Sequence, residues 1–79
     1  MNENEKFKNV LSEILKIESD QIKNDITPDD IENWNSINHL KLIVRFEELF
    51  NIEINSEDIA EMDSFGAIKD ILKKYGVNL

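Results

Sequence analysis

Residues 32–50 read ENWNSINHLKLIVRFEELF, and their apolar positions recur at the three- and four-residue steps of a helix. A rotation of about 100° per residue places His39, Leu42, Ile43, Phe46, Leu49 and Phe50 on one side. Ile37, Leu40 and Val44 form a second stripe on the opposite side, running away from Ser36. Asn38, Lys41, Arg45 and Glu48 edge that stripe on one flank and Glu47 on the other. Asn35 is a good N-cap, because its side-chain oxygen can accept an unpaired amide of the first turn. The segment therefore predicts a helix from about Ser36 to Phe50. Its first stripe packs. The second is either covered, if this is the central helix of a bundle, or exposed beside Ser36 for a partner or an apolar cargo, and the two readings can coexist.

Outward toward the N-terminus, ESDQIKNDITPDDIENW (18–34) has neither helical nor strand periodicity, and so long a connection in a short chain must be pinned or functional. Ile22, Ile26, Ile31 and Trp34 are spaced as anchors, and Thr27 with Pro28 reads as the cap and first position of a short helical turn. Before it, Phe7, Val10, Leu11, Ile14 and Leu15 mark an amphipathic helix from about Asn4 to Ile17. Toward the C-terminus, NIEIN (51–55) alternates but is too short and isolated to build a sheet, which predicts a loop with Ile52 and Ile54 turned inward. Ser56 can cap a short third helix through Met62. Ser64 can cap a fourth, with Phe65, Ile68, Ile71, Leu72 and Tyr75 as its apolar stripe and Gly76 as its stop. The sum is an all-α protein, a small four-helix bundle within a single domain spanning residues 1–79.

The charge excludes some functions. Nine basic against seventeen acidic residues give a net charge of −8, which repels nucleic acid and anionic membranes and favours basic protein partners. Between Phe46 and Ile68 the acids Glu47, Glu48, Glu53, Glu57, Asp58, Glu61 and Asp63 occur without a lysine or arginine, either as a solvated face or as a docking surface. The net charge opposes a helix-turn-helix reading. Asp58, Glu61 and Asp63 lack the glycine turn and alternating ligands of a calcium loop. The chain has no cysteine and one histidine, so no metal site is expected. No positively charged head precedes an apolar stretch at the N-terminus, and the longest apolar run, LIV, is far too short to span a bilayer, which predicts a cytoplasmic protein.

Ser36 taken alone reads as a cap more readily than as a site. Catalysis has little support, since the sole histidine lies three residues further along the same helix and no orienting acid is evident. A serine at a helix start does suit esterification to a phosphate. First-turn amides and the helix dipole favour an anion there by roughly 0.3–1 kcal/mol. Ser36 thus reads as a substrate.

These residues resemble the acyl carrier protein family. Its mark is Asp-Ser-Leu at the start of the second helix, and WNSINHLKLIVRFEELFNIEI resembles the variant in which tryptophan precedes, with Asn35, Ser36 and Ile37 at the marked positions. FEELFNIEINSEDIAEMDSFGAIKDIL extends the resemblance over nearly the whole chain, through the glutamate pair, the isoleucines, the short third helix and the serine-capped fourth. The resemblance implies a bundle of acyl-carrier type with a long first loop and a monomeric carrier that is not itself an enzyme. It further implies that Ser36 holds 4′-phosphopantetheine, transferred from coenzyme A by a separate magnesium-dependent phosphopantetheinyl transferase. An acyl or aminoacyl group would ride on the arm as a thioester, loaded by a ligase and passed to a downstream acyltransferase or synthase. Carried over by position, Asn35, Ile37, Leu40 and Val44 match partner or cargo contacts, and Glu47, Glu48, Glu57 and Asp58 match the docking face. Asn35 stands where the family has aspartate, and Asn38, His39, Lys41 and Arg45 replace more usual choices, which points to dedicated partners in a specialised pathway. A different class of function is an unmodified helical adaptor that keeps the carrier fold and uses Ile37, Leu40, Val44 and the acidic face only to bind a protein.

Overall fold

A computed structural model describes residues 2–79. Among them are four α-helices and no strand: α1 Glu3–Leu15, α2 Ser36–Phe50, α3 Ser56–Glu61 and α4 Phe65–Lys74, with 3₁₀ turns at Ser19–Gln21 and Pro28–Asp30 in the long connection. The all-α, four-helix expectation holds, and α2 begins where its Asn35 cap placed it and ends at the expected Phe50.

Local chemistry sets the boundaries. Asn2 Oδ1 accepts from the Glu5 amide at 2.8 Å, which starts α1 one residue before the expected Asn4. The helix stops at Leu15 rather than Ile17 because Lys16 turns left-handed, at φ 57°. Thr27 does begin the Pro28 turn, with reciprocal bonds between it and Asp30. The cap of α3 is Asn55 rather than the expected Ser56. Asn55 has extended backbone and its Oδ1 accepts from the Asp58 amide at 2.8 Å, which makes Ser56 the first helical residue and leaves Met62 beyond the last. Ser64 caps α4, its Oγ accepting from the Ala67 amide at 3.0 Å, and Gly76 closes that helix at φ 94°.

One core gathers the buried faces. Phe7, Phe46 and Phe65 are fully enclosed, with Val10, Leu11, Leu15, Leu42, Ile68 and Leu72 packed among them. Phe7 and Phe46 stack at 5.6 Å between centroids and join α1 to α2. Ile54 is buried, while Ile52 is only half-buried. Leu49, assigned by its period to the packed stripe, is 38% exposed: it borders an open groove with Glu3 and Lys6 of the first turns of α1.

The long connection is pinned, as its length required. Ile31 and Trp34 are buried, and Ile22 and Ile26 are half-buried against the core. The Phe65 amide donates to the Ile26 carbonyl at 3.0 Å and the Gly66 amide to the Asn24 carbonyl at 2.9 Å, so the loop satisfies amides that α4 cannot pair itself. Gly66 permits this approach: a Cβ there would stand 3.0 Å from the Asn24 carbonyl oxygen. Asn33 Nδ2 donates to the Leu15 carbonyl at 3.1 Å and closes the other end of the loop on α1.

Candidate functional site

The loop delivers Trp34 into the core, where it stacks on Phe65 at 4.9 Å, and thereby fixes the residues that follow. Asn35 is extended, and its Oδ1 accepts from the Asn38 amide at 2.9 Å. Asn38 Nδ2 in turn donates to the Asn33 carbonyl at 2.6 Å. Asn35 therefore fills the capping role that a serine could have taken. Ser36, the first residue of α2, is exposed.

The surroundings suit an anion on that hydroxyl. First-turn amides point outward without intrahelical acceptors, the helix end is positive, and the first turn of α2 contains no acidic residue. A cleft of about 510 Å³ opens beside Ser36, between Trp34, His39 and Leu40 on one side and Ala60 and Met62 on the other. The residues present thus fit a phosphodiester at Ser36 with a chain lying along a mostly apolar surface.

The second stripe of α2 is uncovered, which resolves the choice between central helix and exposed strip. Ile37 is 69% exposed, Leu40 57% and Val44 52%. On one flank a shallow groove of about 360 Å³ runs past Ile14, Lys41 and Arg45; on the other Val44 borders Glu47, Glu48 and Glu53. Arg45 pairs with Glu13 of α1 at 3.3 Å, an exposed contact worth little to stability.

The acidic residues separate by role. Glu48 and Glu57 are exposed. Glu47 is half-buried, and its Oε2 accepts from the Ile54 amide at 2.8 Å, so part of its carboxylate holds the loop after α2. Asp58 does not belong to an exposed docking face. It is 5% exposed and turns inward to α4, where the Tyr75 hydroxyl donates to Oδ2 at 2.6 Å and Lys74 Nζ donates to both oxygens at 2.9 Å. Tyr75 also accepts from the Asn55 amide at 3.1 Å, so the cap of α3, its acid and the end of α4 form one network.

The hydrogen bonds from Tyr75 and then Lys74 hold the Asp58 carboxyl below the usual carboxylate range, and Asp58 raises Lys74 in return. With a folded value below the unfolded one, the contribution is complete above the ordinary aspartate range and is lost as pH falls through the folded value. Thermal melts should accordingly show the wild type above Asp58→Asn at neutral pH, with the gap closing well below about pH 4. A gap of constant size across that window would remove the carboxylate from the account.

Two features escaped sequence reasoning. Asp58 meets Lys74 and Tyr75 across sixteen and seventeen residues, a distance no local period reports. His39, placed by its period on the packed side, joins Trp34 to α3: the Trp34 indole donates to Nδ1 at 3.0 Å, and Nε2 donates to the Ile59 carbonyl at 3.2 Å.

A family model described as a phosphopantetheine attachment site matches residues 5–72. The chain belongs to the acyl carrier protein family. An acyl carrier protein of Buchnera aphidicola subsp. Baizongia pistaciae (strain Bp) is 36% identical over 70 residues, covering 89% of this chain and 90% of that relative. This carrier's prosthetic group is covalent 4′-phosphopantetheine, which supplies a flexible arm ending in a thiol, and the carrier serves other enzymes instead of catalysing a reaction itself. Among the described residues, no helix of the carrier is long and apolar enough to cross a membrane.

Proposed function

We propose that Ser36 is the attachment point of the arm, and that the carrier presents an acyl or aminoacyl thioester from it. The observation that carries this reading is the exposed hydroxyl at the first position of α2, left free of capping because Asn35 performs that role. In attachment the Ser36 hydroxyl gives up its proton and its oxygen bonds to the pantetheine-bearing phosphorus of coenzyme A, forming one phosphodiester as the pyrophosphate P–O bond breaks and adenosine 3′,5′-bisphosphate leaves. The first-turn amides and dipole of α2 then stabilise the charge.

Asn35, Ile37, Leu40 and Val44 form the contact surface around the arm, with Glu48, Glu57 and the free part of Glu47 as acidic docking groups. Tethering holds the cargo at an effective concentration of order millimolar near a docked enzyme, so weak, rapidly released docking is enough. The partners are a phosphopantetheinyl transferase, an acyl- or aminoacyl-loading ligase and a downstream acyltransferase or synthase. Lys41 and Arg45 beside the apolar strip, and Asn35 before the serine, support dedicated partners of a specialised pathway. The chain acts as a monomer and as one carrier domain.

Incubating the apo protein with coenzyme A, magnesium and a broad-specificity transferase should add one phosphopantetheinyl group to the intact mass, localised by peptide mapping to Ser36. An adduct elsewhere would overturn the assignment. No adduct with any transferase, including the host's own, would favour the unmodified adaptor.

A further inference from the structure

Charge changes sign along the exposed side of α2. Toward α1, Lys41 and Arg45 edge the groove of about 360 Å³ that is floored by Ile14, Leu40 and Val44. Lys41 also lines an adjoining hollow with Lys16, Asn33 and Asn38, and the one acid there, Glu13, is paired with Arg45 at 3.3 Å. Lys16 and Lys41 are exposed and, among the described residues, pair with no carboxylate. Toward the end of α2, Val44 borders Glu47, Glu48 and Glu53 on a surface lined by no cation. The apolar ridge joins the two regions: Leu40 and Val44 line the cationic groove, and Val44 reaches the acidic one.

An enzyme that modifies the Ser36 hydroxyl must cover the start of α2. A typical interface buries about 800 Å² a side, a patch roughly 30 Å across, whereas the 15 residues of α2 span about 22 Å. Docking at Ser36 therefore also covers Lys41, Val44 and Glu48. A uniformly basic face would meet Lys41 with like charge, which costs affinity, and a lysine covered without any partner would lose its hydration uncompensated. Resting on the attachment proposed above, we infer that the transferase acting on Ser36 carries a two-signed face: a carboxylate opposite Lys41 and cations opposite Glu47 and Glu48, with an apolar contact on Leu40 and Val44 between them. The order of charge sets direction. Turning the partner end for end along α2 would place like against like at both ends, so only one orientation brings its reacting centre to Ser36. Steering by net charge alone gives no such orientation.

The test follows modification of the apo carrier by the host's own transferase, with coenzyme A and magnesium, by intact mass at varied carrier concentration. At low salt Lys41→Glu and Glu48→Lys should each raise KM for the carrier by roughly three- to tenfold with kcat little changed. Both positions are exposed, so unchanged melting curves should separate docking from folding. The double variant Lys41→Glu/Glu48→Lys keeps the net charge of −8 and should show a higher KM than either single variant. Raising the salt toward about 1 M should shrink every difference. The two-signed face is overturned if Lys41→Glu lowers KM, as a wholly basic partner requires, or if either single variant leaves it unchanged. It is overturned equally if the double variant recovers the wild-type KM, so that net charge alone is read, or if the differences survive high salt. Light scattering that finds the carrier alone dimerised through the ridge would give the ridge to a second copy and overturn it too. A wild type that gains no group sinks attachment, and the two-signed face with it, whereas a modified wild type with the opposite response to Lys41→Glu sinks the two-signed face alone.

Discussion

A Ser36→Ala variant should remain at its unmodified mass after incubation with coenzyme A, magnesium and transferase, while the wild type shifts completely. The substitution removes the proposed acceptor oxygen and little else. Ser36 is exposed and its hydroxyl is not the cap of α2, so the change in stability should stay within about 0.5 kcal/mol. Alanine is also the better helix former. An unmodified variant with an unchanged melting curve therefore isolates chemistry from folding. Asn35→Ala provides the contrast, because loss of the cap costs ~1 kcal/mol while the acceptor hydroxyl remains. A Ser36→Ala protein that still gained the group would end the attachment assignment.

Phe46→Ala should cause the largest loss of stability. Phe46 is fully buried on α2, stacked on Phe7 at 5.6 Å and set 6.2 Å from Phe50. Removing such a ring costs about 3–5 kcal/mol through lost burial and the cavity left behind. Against a total stability of order 5–15 kcal/mol for a folded domain, that is a large fraction. In a chain this short each kcal/mol lowers the melting temperature by roughly 4–8 °C, so denaturant or thermal unfolding should show a drop on the order of tens of degrees. A change of only a few degrees would mean that α1 and α2 do not depend on this contact.

Much of the fold was legible because short-range chemistry determines it. The N-caps of α2 and α4, the Thr27-Pro28 turn and the left-handed glycine after α4 are each readable within a few residues. The period of α2 separated its buried Leu42, Ile43 and Phe46 from its outer Ile37, Leu40 and Val44, but period alone could not tell a covered stripe from an open one. That answer depends on where α3 packs. The candidate site was legible at Asn35 and Ser36, where local capping decides exposure. It was misread at Asp58, because an acid in an acidic run looks solvated until Lys74 and Tyr75 arrive from the far end of the chain. Ser56 lost the cap to Asn55 because both side chains can accept a first-turn amide and only the backbone path chooses between them.

The contacts of the long connection and of α3 differ in kind. The connection is stitched to α4 through backbone amides and weighted by Ile31 and Trp34, so it belongs to a stiff frame. The six-residue α3 has its cap and acid tied to Tyr75 and Lys74, while Ile59 packs on the core and Met62, just past its end, is fully buried. Apolar burial tolerates sliding, whereas hydrogen bonds weaken steeply once their angles are lost. The polar bonds of α3 thus set a single rotational register for the segment walling the cleft, beside the helix that bears Ser36.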